Sequence, residues 1–93
     1  MRTIWKFPLL KREENIIAVP SGAKLLHFGH QGDIGPAGTD EICVWFEVES
    51  SSPLQERFFD LRETGTKQLK TNDIYRGTCF KLSLVWHLYE KVI

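Results

Sequence analysis

The sequence predicts a small, mainly β domain, an antiparallel sandwich or partly open barrel of six to seven short strands, with one short helix as the only alternative element. Three observations carry this. Apolar residues recur with period two along most of the chain, the spacing of a strand with one buried face. No stretch holds helical spacing for longer than about two turns. Breaks rich in Gly, Pro and Ser separate the alternating runs at short intervals.

The elements follow in order. Thr3, Trp5, Phe7 and Leu9 share one face of a first strand, with Lys6 on the other. The run from Ile16 to Val19 is a second strand, and Pro20, Ser21 and Gly22 turn the chain. AKLLHFGH supplies a third. EICVWFEVE is the strongest: Ile42, Val44, Phe46 and Val48 alternate with Cys43, Trp45, Glu47 and Glu49, so one face meets the core and the half-charged face meets solvent. RFFDLRE, from Arg57, alternates less cleanly. Its aromatic residues favour a strand, and a helix over residues 53–63 is the competing reading. GTKQLKTND reads as loop, and YRGTCFKL opens the closing strand pair. In LSLVWHLYEKV, Leu84, Trp86, Leu88 and Val92 face one way, and Val85, His87, Tyr89 and Lys91 the other.

A chain of 93 residues is one domain, residues 1–93, and buries only about 60 to 65% of the surface its unfolded form exposes. A deep active site would compete with the core for the same side chains. The formal net charge is zero, which removes the simplest argument for a polyanionic partner. The distribution is uneven: five basic and two acidic residues from Met1 to Gly32, two and eight from Asp33 to Thr66, five and two from Lys67 to Ile93. An acidic middle of this kind suits a basic partner surface. Cys43 and Cys79 lie inside apolar runs without an upstream secretion signal, so both read as buried free thiols. No run approaches the length of a membrane-spanning helix, and the expected location is the cytoplasm.

Residue constellations that suggest chemistry each have a simpler explanation. His87 sits on the less apolar face of the last strand beside Tyr89, a position for a surface histidine more than for a catalytic one. His27 and His30 share a face only on a helix; on a strand they point apart, and no CxxC or comparable ligand pair completes a metal site. The glycines at 29, 32, 35 and 38 resemble a phosphate cradle in spacing. The segment lacks the lysine and hydroxyl of a nucleotide loop, carries Asp33, Asp40 and Glu41, and leads into a strand, so it reads as a long recognition loop. Glu47 and Glu49 stand about 7 Å apart on one strand face, a separation that any alternating surface strand supplies. Neither cysteine and no serine has a nucleophile signature. The expectation is a non-enzymatic protein without cofactor or metal.

Two binding sites can be drawn from the residues. His30, Asp33, Asp40, Glu41 and Trp45 combine a loop, negative charge and one bulky anchor, the makings of a protein contact. Lys6, Arg76, Lys81 and Lys91 beside Tyr75, Tyr89 and Trp45 would form a base-stacking platform, provided that the cations share a face with the rings. A virion-associated component that assembles through a strand edge, as a homodimer or larger, is a third reading.

IWKFPL from Ile4, VPSGAK from Val19 with LLHF after it, ETGTK from Glu63, YRGTCF from Tyr75 and LVWHLYE from Leu84 resemble, in the same order, segments of a family of small uncharacterised bacteriophage and prophage proteins. The central HQGDIGPAGTDE is longer and more acidic than that pattern. The family carries no known catalytic motif, so the resemblance transfers no active residue. It implies origin in a mobile bacterial element. The leading expectation is therefore an accessory protein that binds a host bacterial protein in the host cytoplasm, with counter-defence inhibition as its specific form.

Overall fold

The computed structural model describes residues 1–10, 14–31, 41–65, 73–81 and 84–91. Seven strands run through them: β1 (Arg2–Leu9), β2 (Asn15–Pro20), β3 (Lys24–Gln31), β4 (Glu41–Glu49), β5 (Leu54–Glu63), β6 (Ile74–Lys81) and β7 (Leu84–Glu90). They form two antiparallel sheets, β1-β4-β3 and β2-β5-β7-β6. This is the sandwich that the period-two alternation predicts, and among the described residues there is no helix. The segment over 53–63 is a strand because Phe59 and Leu61, two apart, both face the core, a spacing that a helix would place on different sides.

β4 occupies the middle of the first sheet. Its Ile42, Val44, Phe46 and Val48 are buried, and the register places Trp5 and Leu25 beside Phe46, and Phe7 and Phe28 beside Val44, on the inward side. In the second sheet β5 pairs with β2 through its first half and with β7 through its second. Phe59, Leu61, Trp86 and Leu88 face inward there. Phe46 and Phe59 meet between the sheets at 6.1 Å between ring centroids, and Phe7 adds an edge-to-face contact to Phe46 at 5.9 Å, geometries that the aromatic quadrupole favours.

Two bulges shape the edges. One falls between Leu25 and His27 on β3, the other between Tyr75 and Gly77 on β6. β3 and β6, the edges of different sheets, then close on each other along one side of the sandwich. Gly77 permits the approach: a Cβ there would stand 3.3 Å from the Phe28 ring. On the opposite side β1 is an edge strand whose Lys6 and Pro8 discourage pairing with another chain, since the proline brings no N–H and the lysine brings charge.

One end of the core is closed by charge. Arg57 on β5 reaches inward, donates to the Ala23 carbonyl at 2.7 Å, and lies over the Phe46 and Phe59 rings at 5.0 and 5.7 Å. Its guanidinium also grips Glu90 on β7, which takes a second guanidinium from Arg76. Burial alone would raise the Glu90 carboxyl, and the hydrogen bonds and charges of Arg57 and Arg76 more than offset it, holding the group below its ordinary value of 4.5.

Candidate functional site

Both sheets turn a worked face outward. On the three-stranded sheet the register lays Lys6, Trp45 and His27 across the strands as one row, and Pro8, Cys43 and Gly29 as the next. The His27 and Trp45 rings meet at 5.2 Å between centroids, tilted by 44°. The imidazole lies over Gly29: a Cβ on that glycine would fall 2.5 Å from His27 Nε2. A small residue is therefore what lets the imidazole fold down beside the indole. Glu41 and Glu47 stand on the same outward side of β4, Glu47 with Arg2 Nε at 3.3 Å.

Cys43 points outward yet is fully buried, flanked by glycine and proline. Its thiol donates to Glu41 Oε2 at 3.9 Å. Burial pushes the thiol up from its ordinary value of 9.0, Lys6 pulls it down, and the Glu41 charge and hydrogen bond raise it again. Such a thiol stays protonated at neutral pH and is a poor nucleophile. Cys79 is inward-facing on the other sheet, and neither cysteine is in a disulfide.

The four-stranded sheet presents a denser arrangement. Tyr75 on β6 lies opposite Tyr89 on β7, and Tyr89 opposite Asp60 on β5; the next row is Thr78, His87 and Arg62; the next pairs Phe80 with Val85. His87 is held through both ring nitrogens, Nε2 with Thr64 Oγ1 at 2.7 Å and Nδ1 with Thr78 Oγ1 at 2.9 Å. Thr78 passes the chain on to the Tyr75 hydroxyl. The Tyr75 and Tyr89 rings meet edge to face at 5.5 Å. Asp60 is 1% exposed despite its outward position, because Arg62 Nη2 at 3.0 Å and Lys91 Nζ at 3.4 Å close over it.

The residues expected to bind a protein divide. Glu41 and Trp45 share the outward face of the three-stranded sheet. His30 lies opposite Ile42, hence on the inward-facing side of β3, exposed at the rim. Asp33 and Asp40 lie outside the described residues. Of the residues expected to bind nucleic acid, Tyr75, Tyr89 and Lys91 come together on the four-stranded sheet. Arg76, at the bulge, turns to Glu90, and Lys6 stands on the other sheet. Lys81 ends β6, and its side chain lies outside the described residues. The four cations do not form one surface.

His27 falls on the outward side and His30 on the inward side of β3, and among the described residues no three His, Cys, Asp or Glu side chains gather as metal ligands. The alternation by itself misses Thr64, Thr78, Asp60 and Arg62. It tells which face a residue takes on its own strand; the partners of His87 depend on the register between strands.

Comparison with protein families matches residues 1–92 to a domain of unknown function (DUF7352). Comparisons with curated proteins and with solved structures find no match.

Proposed function

We propose, from the premise that the chain belongs to the DUF7352 family, that it works as a non-enzymatic binding protein whose partner docks on the outward face of the three-stranded sheet. The observation that carries this is Trp45. Its indole stands on the solvent side of the sheet's central strand, braced by His27, with Lys6 across from it on β1 and Glu47, paired with Arg2, next along β4. A braced indole is a large apolar contact with little rotamer freedom left to lose, the character of an interface anchor. Acidic and basic side chains are mixed around it, so the indole and not net charge carries the contact. The resemblance of the chain's segments to phage and prophage proteins supports a host bacterial protein as that partner, met in the host cytoplasm. An accessory role of this kind extends to counter-defence, in which binding inhibits the host protein.

The test is a nuclease-treated pull-down from bacterial host lysate with wild-type protein, Trp45→Ala, and Tyr75→Ala on the opposite sheet. One stoichiometric host protein retained by wild type and Tyr75→Ala, and lost with Trp45→Ala, is the expected result. Equal retention by all three, with native circular dichroism throughout, sinks the assignment of this face.

A further inference from the structure

We propose that β2 is a self-association edge: two copies of this chain pair their β2 strands antiparallel about a two-fold axis at Ile17, which joins their four-stranded sheets into one. Four strands end the two sheets, β1 and β3 in one, β2 and β6 in the other. β3 and β6 close on each other, and β1 carries Lys6 and Pro8. β2 has neither guard. NIIAVP holds no charged residue, its one proline comes last, and Ile16 is 52% exposed. Among the described residues β2 pairs with β5 alone.

Two hydrogen bonds show which backbone groups that edge leaves free. Lys91 N donates to the Phe58 carbonyl at 2.8 Å, so Phe58 turns its N–H and C=O to β7 and away from its β2 partner Ile16. Ser21 N donates to the Pro53 carbonyl at 2.7 Å, which sets the odd-numbered residues of β2 toward β5. Ile16 and Ala18 therefore point both backbone groups to the open edge. Pro20, next in that set, has no N–H, and its carbonyl accepts from Ala23 in the turn. The groups that remain are self-complementary. Setting Ile16 opposite Ala18 of the second copy, and the reverse, pairs every one of them in N–H···O bonds and keeps the exposed side chains on one face.

The same register brings Ile17 against its own copy on the inner side and Glu14 against Pro20, so the two Glu14 carboxylates stay apart. With one bare edge per chain, the assembly closes at two and does not grow into a fibre. A contact of one six-residue strand lies well under the roughly 1,600 Å² of a stable interface, so pairing is weak and driven by concentration, with a dissociation constant on the order of 100 µM. The two-fold stands perpendicular to the joined sheet. Both three-stranded sheets, each with its Trp45, then lie on the same side of it.

The experiment is sedimentation velocity over protein concentrations from about 10 µM to about 1 mM, which bracket that constant, with amide hydrogen exchange followed by nuclear magnetic resonance. The expected result is a rise from monomer to dimer. The Ile16 and Ala18 amides slow as concentration rises, whereas those of Ile17 and Val19, bonded to β5, are protected throughout. Ala18→Pro deletes an N–H of the open edge and leaves the ladder to β5 intact, and Ile16→Lys adds a charge at an exposed position. Each weakens association at least tenfold with native circular dichroism, and Trp45→Ala stays within twofold. A monomer across the whole range overturns the proposal. So does association that both variants leave unchanged, or protection of Ile16 and Ala18 at the lowest concentration, which would mean that the chain covers this edge itself. A monomer whose Ala18→Pro form no longer captures a host protein makes the edge a seat for a partner's strand and overturns self-pairing. Self-association is read without any host protein, and Trp45 lies on the other sheet, so each of the two proposals fails independently of the other.

Discussion

Arg57 clasps Glu90 across two neighbouring strands, Nε to Oε2 at 2.7 Å and Nη2 to Oε1 at 2.8 Å, with the two side chains only 16% and 13% exposed. The same guanidinium holds the Ala23 carbonyl at the start of the facing sheet and covers the Phe46 ring. One side chain thereby joins β5, β7 and the entrance to β3. A planar fork with five donors can serve these contacts at once, which a lysine cannot.

Removing one member of this pair leaves the other charge in a poorly solvated place. Glu90→Gln is expected to lower unfolding stability by about 3 kcal/mol, the low end for a buried pair, because some exposure remains. Urea unfolding measures it. Arg57→Met combined with Glu90→Leu should cost less than the sum of the single changes, since the double variant leaves no uncompensated charge between Arg57 and Glu90 themselves. Additive losses would show that the two residues are not coupled.

The depressed Glu90 carboxyl makes stability depend on pH in a defined direction. Its contribution is fully present above the ordinary value of 4.5, and it is lost as pH falls through the lower value that the group holds in the folded protein. The gap in urea midpoint between wild type and Glu90→Gln should be wide at pH 6 and should narrow progressively at acid pH. A gap that stays constant down to about pH 2.5, below any ordinary carboxylate range, would mean that the pair does not depress this carboxyl.

Gly29 is the seat of the His27 imidazole, and Gly29→Ala places a methyl where the ring lies. The imidazole must turn out of its rotamer or leave the indole, at a cost of about 1 kcal/mol. The His27 ring protons, observed by nuclear magnetic resonance, should lose the shift that the Trp45 ring imposes, and binding to a partner at this face should weaken. An unchanged His27 spectrum in the variant would show that the two rings do not pack as described.

Much of the architecture was legible along the chain. The alternation in EICVWFEVE gives the buried set Ile42, Val44, Phe46 and Val48 directly, because side chains of a strand change sides at every residue whatever its neighbours are. For the same reason His87 and Tyr89 fall on one face and His27 and His30 on two. RFFDLRE was harder to read: Asp60 and Arg62 alternate with Phe59 and Leu61 as a solvent face should, yet Asp60 is buried beneath Arg62 and Lys91.

Sequence alone thus determined strand identity and, away from the bulges on β3 and β6, inward or outward direction, properties of local backbone geometry. Tertiary structure decided which residues meet. His87 finds Thr64 and Thr78, 23 and 9 positions away, and Arg57 finds Glu90, 33 away, only once the register between strands is set. That register follows from bulges, turn lengths and the packing of one sheet on the other, none of which a period-two pattern encodes. Lys6 shows the same limit: its outward direction was readable, but that it stands on the sheet opposite Tyr75 and Lys91 is a fact of strand order, which long-range pairing fixes.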